Sequence, residues 1–473
     1  MARDWADSGL DLHLELDPRR KVASLEQALR SAIAERRLEP GTRLPPSRGL
    51  AADLGLARNS VAEVYARLIG EGRLEARVGS GTWVRGVTEP AAGARVDRST
   101  RFDLDLRGGL PDSSGFARSA WGRAVARALA EAPAAAFAYG APEGALELRR
   151  ALAEYLARTR GVVAGAEDVV VTHGFGELLS LVARALAARG SRRIAVEAYG
   201  HASHREVLAA AGLEPVPVAL DADGLVVERL AGLGVDAVLV TPAHQFPTGV
   251  PLSARRRAAL GEWARASGAT VIEDDYDGEF RFDGRAIGAF QALAPAQTVY
   301  GGTASKSLSP ALGIGWGVVP SALRDEVLAQ RRLSGSATDA LSQLALAALV
   351  SAGDYDRAVR GARLRYRARR ERFERLIADG LPGTRVAGLE AGLHCLLELP
   401  AGVGEAEVER AGEAIGLRYG GLAGYAADAV TASTRPPTMV VGYGAPPEHR
   451  FDRAVAAVIA SVEAARTAEI STG

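Results

Sequence analysis

The sequence predicts a multidomain protein in which a small α+β module precedes a large α/β domain and a small C-terminal α+β subdomain. Its length of 473 residues exceeds that of an ordinary single domain. Helices and a hairpin come first, and after a stretch of Pro, Ala, Gly and Thr the pattern changes to alternating helices and apolar strands. The expected boundaries are a leader at 1–18, the N-terminal module at 19–85, a linker at 86–101, and a large domain at 102–470 whose small subdomain begins near 333.

Charge is unevenly divided along the chain. The formal net charge is zero, but residues 19–85 carry 13 Lys and Arg against 7 Asp and Glu, so the remainder is acidic. A basic module joined to an acidic domain favours a different partner for each. No apolar run approaches the roughly 18 to 20 residues of a membrane span. The N-terminus does not resemble a signal peptide, and the single Cys395 excludes an intramolecular disulfide. We therefore expect a cytoplasmic protein without a membrane or metal partner.

The N-terminal module has the pattern of three helices and a hairpin. Apolar periodicity predicts helices over 22–37, from Ser47 as N-cap to near Gly55, and over 58–70. Residues 74–84 alternate around Gly79-Ser80-Gly81, which predicts a hairpin. Because only a short turn separates the second and third helices, the module is predicted to be a winged helix-turn-helix.

This arrangement points to nucleic acid as the partner of the basic module. The start of the third helix, Arg58, Asn59 and Ser60, is expected to reach base edges in the major groove. Phosphate contacts are expected from the residues around the start of the second helix, which are Arg43, Ser47 and Arg48. The hairpin tip could enter a neighbouring groove through Arg77, Gly79, Ser80 and Gly81. A solvated basic face on a structural module is the alternative.

From Phe102 onward, strands and helices alternate, which predicts an α/β domain with a largely parallel sheet. Predicted strands cover 169–172, 193–197, 237–240, 270–273 and 298–300. Predicted helices cover 146–158, 177–189, 254–267 and 342–350. An open sheet of this kind binds ligands at the carboxyl ends of its strands. The final part is predicted to add strands at 394–399 and 439–443 and a helix at 451–466.

Lys306 and Lys21 are the two lysines of a chain with 57 Lys plus Arg. Arginine can replace lysine wherever only positive charge is needed, but guanidinium does not lose its proton in proteins. A retained lysine is therefore a candidate for forming an imine with a carbonyl. Its neighbours Thr303 and Ser305 supply hydroxyls that suit a phosphate beside the amine.

Four other segments follow predicted strands. Asp274, within Glu273–Asp277, offers a carboxylate for a protonated ring nitrogen, although an ordinary acidic turn has the same pattern. The Gly174-Phe175-Gly176 turn can cradle a phosphate at a helix start, as a weak signal. His201 could stack on a flat ring or be a structural histidine. The Thr241–Gly249 loop supplies His244 and Gln245, or is a Pro-rich structural turn.

Two stretches of the N-terminal module resemble the DNA-binding domain of GntR-type bacterial regulators. They are Leu38 to Arg48, with Pro40-Gly41-Thr42-Arg43-Leu44-Pro45-Pro46-Ser47-Arg48, and Glu71 to Val84. The resemblance covers about residues 20–85. It implies that Arg43, Arg48, Arg58 and the hairpin contact DNA.

The large domain resembles the fold-type I pyridoxal-phosphate enzymes of the aspartate aminotransferase class. The resemblance is carried by Tyr139 to Gly144, the Gly-X-Gly turn, Thr241 to Pro247, Glu273 to Asp277 and Gly302 to Lys306, in this order. The Glu-Asp-Asp-Tyr-Asp and His-Gln sequences are most similar to the MocR subfamily, in which a GntR-type domain is fused to an aminotransferase-like domain.

The resemblance implies pyridoxal 5'-phosphate (PLP) as cofactor and a role for each matched residue. Lys306 would form the internal aldimine, and Asp274 would pair with the pyridine nitrogen. Tyr276 and Gln245 would lie near the ring hydroxyl, and His244 would also belong to the cofactor site. Thr303, Ser305 and the Gly174–Gly176 turn would hold the phosphate, and Tyr139 would reach the phosphate of a partner subunit.

The chain departs from the family pattern at four functional positions. His201 stands where a Tyr often stacks on the ring, and Gly176-Glu177 where many relatives have Gln-Gln. Gly313 stands where the family usually has a phosphate-binding Arg, seven residues after the lysine. The strand at 439–443 has no Arg for a substrate carboxylate, and Arg435 is an uncertain substitute. Together the last two departures favour sensing over turnover.

The leading hypothesis is a homodimeric, PLP-dependent transcriptional regulator of the MocR type. It would bind a DNA operator and sense an amine, an amino acid or PLP through the aldimine at Lys306. One alternative is a working aminotransferase with an accessory N-terminal domain. Another is a regulator whose large domain has lost the cofactor and only dimerises.

Overall fold

The computed structural model describes residues 16–17, 20–77, 79–85, 102–282, 287–335 and 337–470. Contacts divide the chain into two compact units, Met1–Thr100 and Arg101–Gly473. All of the predicted leader except residues 16 and 17, and the whole predicted linker, lie outside the described residues. In the part of the chain that is described, no helix combines the length and apolar character needed to cross a membrane.

The first unit is a winged helix-turn-helix, as predicted. Its elements are α1 (Lys21–Ala34), α2 (Ser47–Leu54), α3 (Arg58–Gly70), β1 (Leu74–Arg77) and β2 (Gly81–Val84). Leu25 and Leu29 of α1 pack with Val61 and Leu68 of α3 in one core, and the two strands pair antiparallel.

Two helix ends in this unit differ from prediction. Helix α1 ends at Ala34 rather than near 37, because Arg36 takes a left-handed conformation with φ of 58°. Ser47 is the first helical residue rather than the N-cap. Pro46 caps α2 instead, and its carbonyl accepts the N–H groups of Gly49 and Leu50.

The second unit contains a seven-stranded sheet, a four-stranded sheet and two shorter pairs of strands. Its strands are β3 (Leu104–Asp105), β4 (Val169–Thr172), β5 (Arg193–Glu197), β6 (Glu214–Val218), β7 (Leu220–Asp221), β8 (Gly224–Leu225), β9 (Ala237–Val240), β10 (Thr270–Asp274), β11 (Thr298–Thr303), β12 (Gly315–Val318), β13 (Val386–Ala387), β14 (His394–Glu398), β15 (Leu417–Arg418), β16 (Gly420–Gly421) and β17 (Thr438–Gly442).

The second unit also contains eleven α-helices among its described residues. They are α4 (Arg118–Glu131), α5 (Leu146–Arg160), α6 (Phe175–Ala188), α7 (Ala202–Ala210), α8 (Ala254–Ser267), α9 (Ser321–Ser334), α10 (Ala340–Ser351), α11 (Asp354–Gly380), α12 (Glu405–Ala414), α13 (Ala429–Ala432) and α14 (Phe451–Ile470).

Six of the seven strands of the large sheet run in one direction, so their carboxyl ends lie at one edge. The strand order is β4-β12-β11-β10-β9-β5-β6. All neighbouring pairs are parallel except those of β12, which runs antiparallel to both neighbours. Because β4, β5, β6, β9, β10 and β11 run in one direction, their carboxyl ends meet at the same edge, where an open sheet binds ligands.

A second, four-stranded sheet forms the small subdomain, in the order β13-β14-β17-β16. Helices α12 and α14 pack on each other, and α11 packs on α14. Helix α9, in contrast, packs on α6, and α10 packs on α4 and α5. These two helices are thus part of the large domain, which places the start of the subdomain after α10 rather than near residue 333.

Candidate functional site

A cavity of about 420 Å³ opens at the shared carboxyl edge of the large sheet. A cavity of this size suits a small-molecule cofactor. Eight of the residues singled out in the sequence line it, and they are Lys306, Asp274, Tyr276, Thr303, Ser305, Gly174, Phe175 and His201. Residues separated by more than 130 positions therefore meet in one place, because each follows or ends a strand of the same sheet.

Lys306 and Asp274 form the electrostatic centre of the cavity. Burial lowers the pKa of the Lys306 amine, and the charge of Asp274 opposes this shift. Burial also raises the pKa of the Asp274 carboxyl well above its usual range, opposed by Lys306. The Oδ1 atom of Asp274 has no hydrogen-bond partner among the described residues. A buried carboxylate oxygen without a donor is costly, so this position calls for a protonated ligand atom.

The remaining acidic residues of the Glu273–Asp277 run have structural partners. Glu273 accepts the backbone N–H groups of Phe290 and Gln291 at 2.7 and 2.9 Å. Asp275 forms a buried ion pair with Arg160 at 2.7 Å and also accepts the Tyr300 hydroxyl. The acidic-turn interpretation thus describes these residues well. Asp274 differs from them, because it faces the cavity with an unused oxygen.

The expected phosphate ligands surround the start of α6. Gly174 caps this helix with φ of 131°, in the region that favours glycine. Thr303 donates its hydroxyl to Ser305 Oγ at 2.9 Å, so the two hydroxyls lie side by side. A helix N-terminus beside hydroxyl groups is a favourable environment for an anion. Gly176 lies within α6 and does not line the cavity.

Tyr276 reaches the cavity from a buried hydrogen-bonded group. Its hydroxyl donates to the His244 carbonyl at 3.2 Å and lies 3.1 Å from His244 Nδ1. The same ring nitrogen is 2.8 Å from Asp277 Oδ2. His244 itself is buried and does not line the cavity. The structure therefore places His244 behind Tyr276, as a group that holds the phenol in position.

Gln245 also lies outside the cavity lining. Its amide nitrogen donates to the carbonyls of Tyr199 and Phe246 at 2.8 and 2.6 Å, and its Oε1 accepts the Thr248 hydroxyl at 2.6 Å. These contacts occupy the polar atoms of the side chain. The next residue, Phe246, lines the cavity instead.

Aromatic rings close one side of the cavity. His201 stacks on Phe246 with ring centroids 4.0 Å apart and an angle of 11° between planes. Burial lowers the pKa of His201 to about 4, with a further contribution from the charge of Lys306. Burial and His201 lower the pKa of the neighbouring His204 to about 3. Both imidazoles are thus neutral near pH 7, and they present flat rings rather than charges.

Three other positions from the sequence lie away from the cavity. Tyr139 is fully exposed. Arg435 lies over the ring of Tyr199 at 5.7 Å and lines a separate cavity with Arg385 and Thr248. The strand in which the sequence contains no arginine forms β17, and all five of its residues are buried.

The N-terminal unit presents its predicted DNA contacts on its surface. Arg43, Arg48 and Arg58 are exposed and have no ion-pair partner among the described residues. Arg30 and Arg67, by contrast, both pair with Glu26. Asn59, Gly79 and Gly81 are also exposed, and Ser47, Ser60 and Ser80 are partly exposed. Arg77 lies over the ring of Trp83 at 4.8 Å, so the hairpin carries a cation on an aromatic support.

Comparison with known proteins identifies both units. Residues 21–84 match the model of the bacterial regulatory proteins of the gntR family, and residues 112–412 match the aminotransferase class I and II model. The chain is 35% identical to the pyridoxine biosynthesis regulator PdxR of Corynebacterium glutamicum, over 82% of this chain and 86% of that protein. It is 32% identical to the probable rhizopine catabolism regulatory protein MocR of Rhizobium meliloti, over 84% and 85%. The chain belongs to the MocR-type transcriptional regulators.

Solved structures agree on the fold of the large unit of this MocR-type regulator. The kynurenine aminotransferase of Pyrococcus horikoshii has a TM-score of 0.67 and 22% identity, covering 76% of this chain and 90% of that chain. An archaeal alanine:glyoxylate aminotransferase has a TM-score of 0.68 and 21% identity, covering 78% and 91%. These likenesses confirm the predicted fold-type I architecture.

The aminotransferase family implies PLP as the cofactor of this MocR-type regulator, and the residues fit it. Asp274 offers its unpartnered oxygen to a protonated ring nitrogen. Lys306 is a buried amine whose pKa is lowered. Gly174 leaves open space at the helix start, since no atom lies within 4 Å of the position of an added Cβ. The cavity can thus satisfy the nitrogen, the reactive carbon and the phosphate of one PLP molecule.

Sequence reasoning missed several residues that line this cavity. They are Arg107, Gly108, Gly109, Leu110, His204, Phe246 and Tyr425. A signal existed for His204 and Phe246, which lie within three residues of predicted positions. Residues 107–110 and Tyr425 come from segments without a recognised motif, and their contribution depends on how the small subdomain packs on the large sheet.

Proposed function

We propose that this MocR-type regulator binds PLP covalently through Lys306 and that occupancy of the site changes the affinity of the N-terminal unit for its operator. The observation that carries the proposal is one cavity that contains the Lys306 amine, with its lowered pKa, and the Asp274 oxygen that has no hydrogen-bond partner among the described residues. The same chain carries Arg48 and Arg58 at the starts of α2 and α3, both exposed and without an ion-pair partner in the described part of the chain.

Each pocket residue has a distinct task in this proposal. The lowered pKa of Lys306 increases the fraction of unprotonated amine that can attack a carbonyl. Asp274 holds a proton on the ring nitrogen, while Tyr276, supported by His244, hydrogen-bonds the ring hydroxyl. Thr303, Ser305 and the N–H groups after Gly174 hold the phosphate, and His201 covers the ring. When bound, PLP supplies an electrophilic carbon that combines with amines.

The effector in this proposal is an amine, an amino acid or PLP itself. The name of the C. glutamicum relative ties that protein to pyridoxine biosynthesis, which supports PLP among the three. The lack of an arginine in β17, the strand from which an aminotransferase would bind the substrate carboxylate, supports sensing rather than turnover. An effector acts only through different affinities for the two states of the regulator.

We further propose a homodimer that binds two operator half-sites. Tyr139, which is fully exposed in the single chain, would then reach the phosphate site of the partner subunit. The unpaired Arg43, Arg48 and Arg58 would contact the phosphates and bases of each half-site.

The proposal is tested by measuring operator affinity with and without PLP. Fluorescence anisotropy on the promoter region adjacent to the gene would compare the wild type with Lys306→Ala and with Lys21→Ala as the matched control. PLP is expected to change the Kd of the wild type and of Lys21→Ala, and to leave that of Lys306→Ala unchanged. An identical response in all three proteins would refute a role for Lys306.

A separate measurement addresses turnover. The purified protein would be incubated with a panel of amino acids and 2-oxoglutarate, and product would be counted per active site. If the site only senses its ligand, no more than one equivalent of product per active site is expected. Many turnovers would instead establish a working aminotransferase.

A further inference from the structure

Arg107 is the arginine among the described residues that line the Lys306 cavity. His201 and His204 line the same cavity, but their pKa values are lowered to about 4 and about 3, so they are neutral near pH 7. Arg435 lines a different cavity. Arg205 lines an adjoining cavity, and its guanidinium donates to the carbonyls of Gly200 and Ala426. Among the residues that line the Lys306 cavity, Arg107 is therefore the guanidinium available to an anionic group.

The Arg107 side chain is held by a partner that a ligand can displace. Its Nε donates to Asp105 Oδ1 at 2.9 Å, and its Nη2 lies 2.6 Å from Asp105 Oδ2. The two side chains remain 45% and 33% exposed. The pair is bidentate but partly exposed, and pairs with this degree of exposure contribute little stability. The carboxylate of a ligand, which can make the same bidentate contact, can therefore take the place of Asp105.

The backbone beside Arg107, a residue that lines the cavity, is held by hydrogen bonds. Leu106 donates its N–H to the Arg418 carbonyl at 2.7 Å and accepts the Gly442 N–H at 2.7 Å. Any side chain at 442 would meet the Arg107 carbonyl at 2.2 Å, so Gly442 permits this close packing. The segment is thus held between β15 and β17, next to the pocket.

We propose that Arg107 binds the carboxylate of an amino-acid effector whose amino group faces Lys306, and that Asp105 is the internal competitor released by the effector. This inference rests on the proposed PLP-binding function. It assigns the effector a carboxylate as well as an amine.

Arg107 follows β3, which pairs with β15 of the small subdomain. Asp105 is the last residue of β3. A ligand that draws Arg107 away from Asp105 would therefore act beside this strand pair.

The test uses the PLP-loaded protein and matched ligand pairs, each an amino acid and the amine that lacks its carboxylate. Suitable pairs are L-alanine with ethylamine and L-phenylalanine with phenethylamine, extended across the common amino acids. The change in cofactor absorbance on titration gives a Kd for each. In the wild type, at least one amino acid is expected to bind about tenfold more tightly than its amine, as a charge-assisted contact allows.

Variants then assign this preference to a residue. The preference is expressed as the Kd of the amine divided by the Kd of the amino acid. Arg107→Gln is expected to bring this ratio close to one, and Arg107→Lys to retain part of the preference. Asp105→Asn is expected to increase the ratio, because the competitor is gone. Arg435→Gln is the matched control and should leave the ratio unchanged, and thermal melting checks that every variant folds.

Several results would overturn the inference while leaving PLP binding intact. These are a wild type without preference for any amino acid, an unchanged ratio in Arg107→Gln, or a collapse of the ratio in Arg435→Gln. Weaker binding of PLP but not of pyridoxal by Arg107→Gln would assign Arg107 to the cofactor phosphate instead. A wild type without cofactor absorbance would contradict the proposed function itself.

Discussion

The neighbouring carboxylates Asp274 and Asp275 have different roles, one facing the cavity and the other holding the fold. Asp275 has a buried ion pair with Arg160, whereas Asp274 has an oxygen without a donor. The sequence presents both as acidic residues after a strand. Only the direction of each side chain distinguishes them, and strand alternation makes that direction opposite at adjacent positions.

Substitution at these two positions should therefore have opposite effects on the cofactor-free protein. Asp275→Asn leaves Arg160 buried without its counter-charge and is expected to cost about 3 kcal/mol of stability. Asp274→Asn removes an unpartnered buried carboxylate and should leave the cofactor-free stability unchanged or higher. Urea unfolding measures both. Asp274→Asn should also weaken PLP binding, and equal destabilisation by the two variants would contradict the assignment.

Because His201 and His204 are neutral in the folded protein, we predict that the free energy of unfolding decreases at acidic pH. Burial lowers the pKa of His204 to about 3 in the folded protein, while an unfolded histidine titrates near 6.5. Between these values the unfolded state binds more protons, so stability falls as pH decreases from about 6.5. The free energy of unfolding of the wild type is expected to be lower at pH 5 than at pH 7.5, and His204→Gln is expected to reduce this difference by about 1 to 2 kcal/mol.

That difference is measured by urea unfolding of the cofactor-free wild type and variant at both pH values. Because other titrating groups are common to the two proteins, their contributions cancel in the comparison. A pH dependence that is identical in both proteins would show that His204 titrates normally in the folded state.

At the scale of elements, the starts of α2 and α3 carry the DNA-binding prediction. Arg48→Ala and Arg58→Ala should each weaken operator binding, Arg58→Ala by about 1 to 3 kcal/mol if it contacts a base edge. Arg37→Ala, which removes an exposed arginine paired with Glu35, is the control. Gel shifts or anisotropy would measure the effect. Equal affinity of all three variants and the wild type would place the DNA on another face.

Most elements could be predicted from the sequence, because apolar periodicity and strand–helix alternation reflect burial directly. The strands β4, β5 and β9 have the predicted bounds. Predictions were weaker where the place of a residue depends on the direction of its side chain or on the packing of segments that are distant in the sequence. Gln245 turns into the protein rather than the cavity, and Arg107 reaches the cavity only because β3 pairs with β15. Neither fact has a local sequence signal.

At the scale of the whole molecule, one chain combines a DNA-binding fold with the fold of aminotransferases. The order of the two units and the fold of each could be predicted from the motifs of the sequence. The lysine content alone singles out the candidate imine-forming residue, since a chain rich in arginine retains Lys306 just after a strand and beside two hydroxyl groups. The same property makes the central claim unusually easy to test.

The most direct test is to locate PLP on the protein. PLP would be added, the bond fixed by borohydride reduction, and the modified residue identified by peptide mass spectrometry. Lys306 is expected to carry the pyridoxyl group at one equivalent per chain, while Lys21, the other lysine, stays unmodified. Modification of Lys21 to the same extent, or no specific modification at Lys306, would contradict the account.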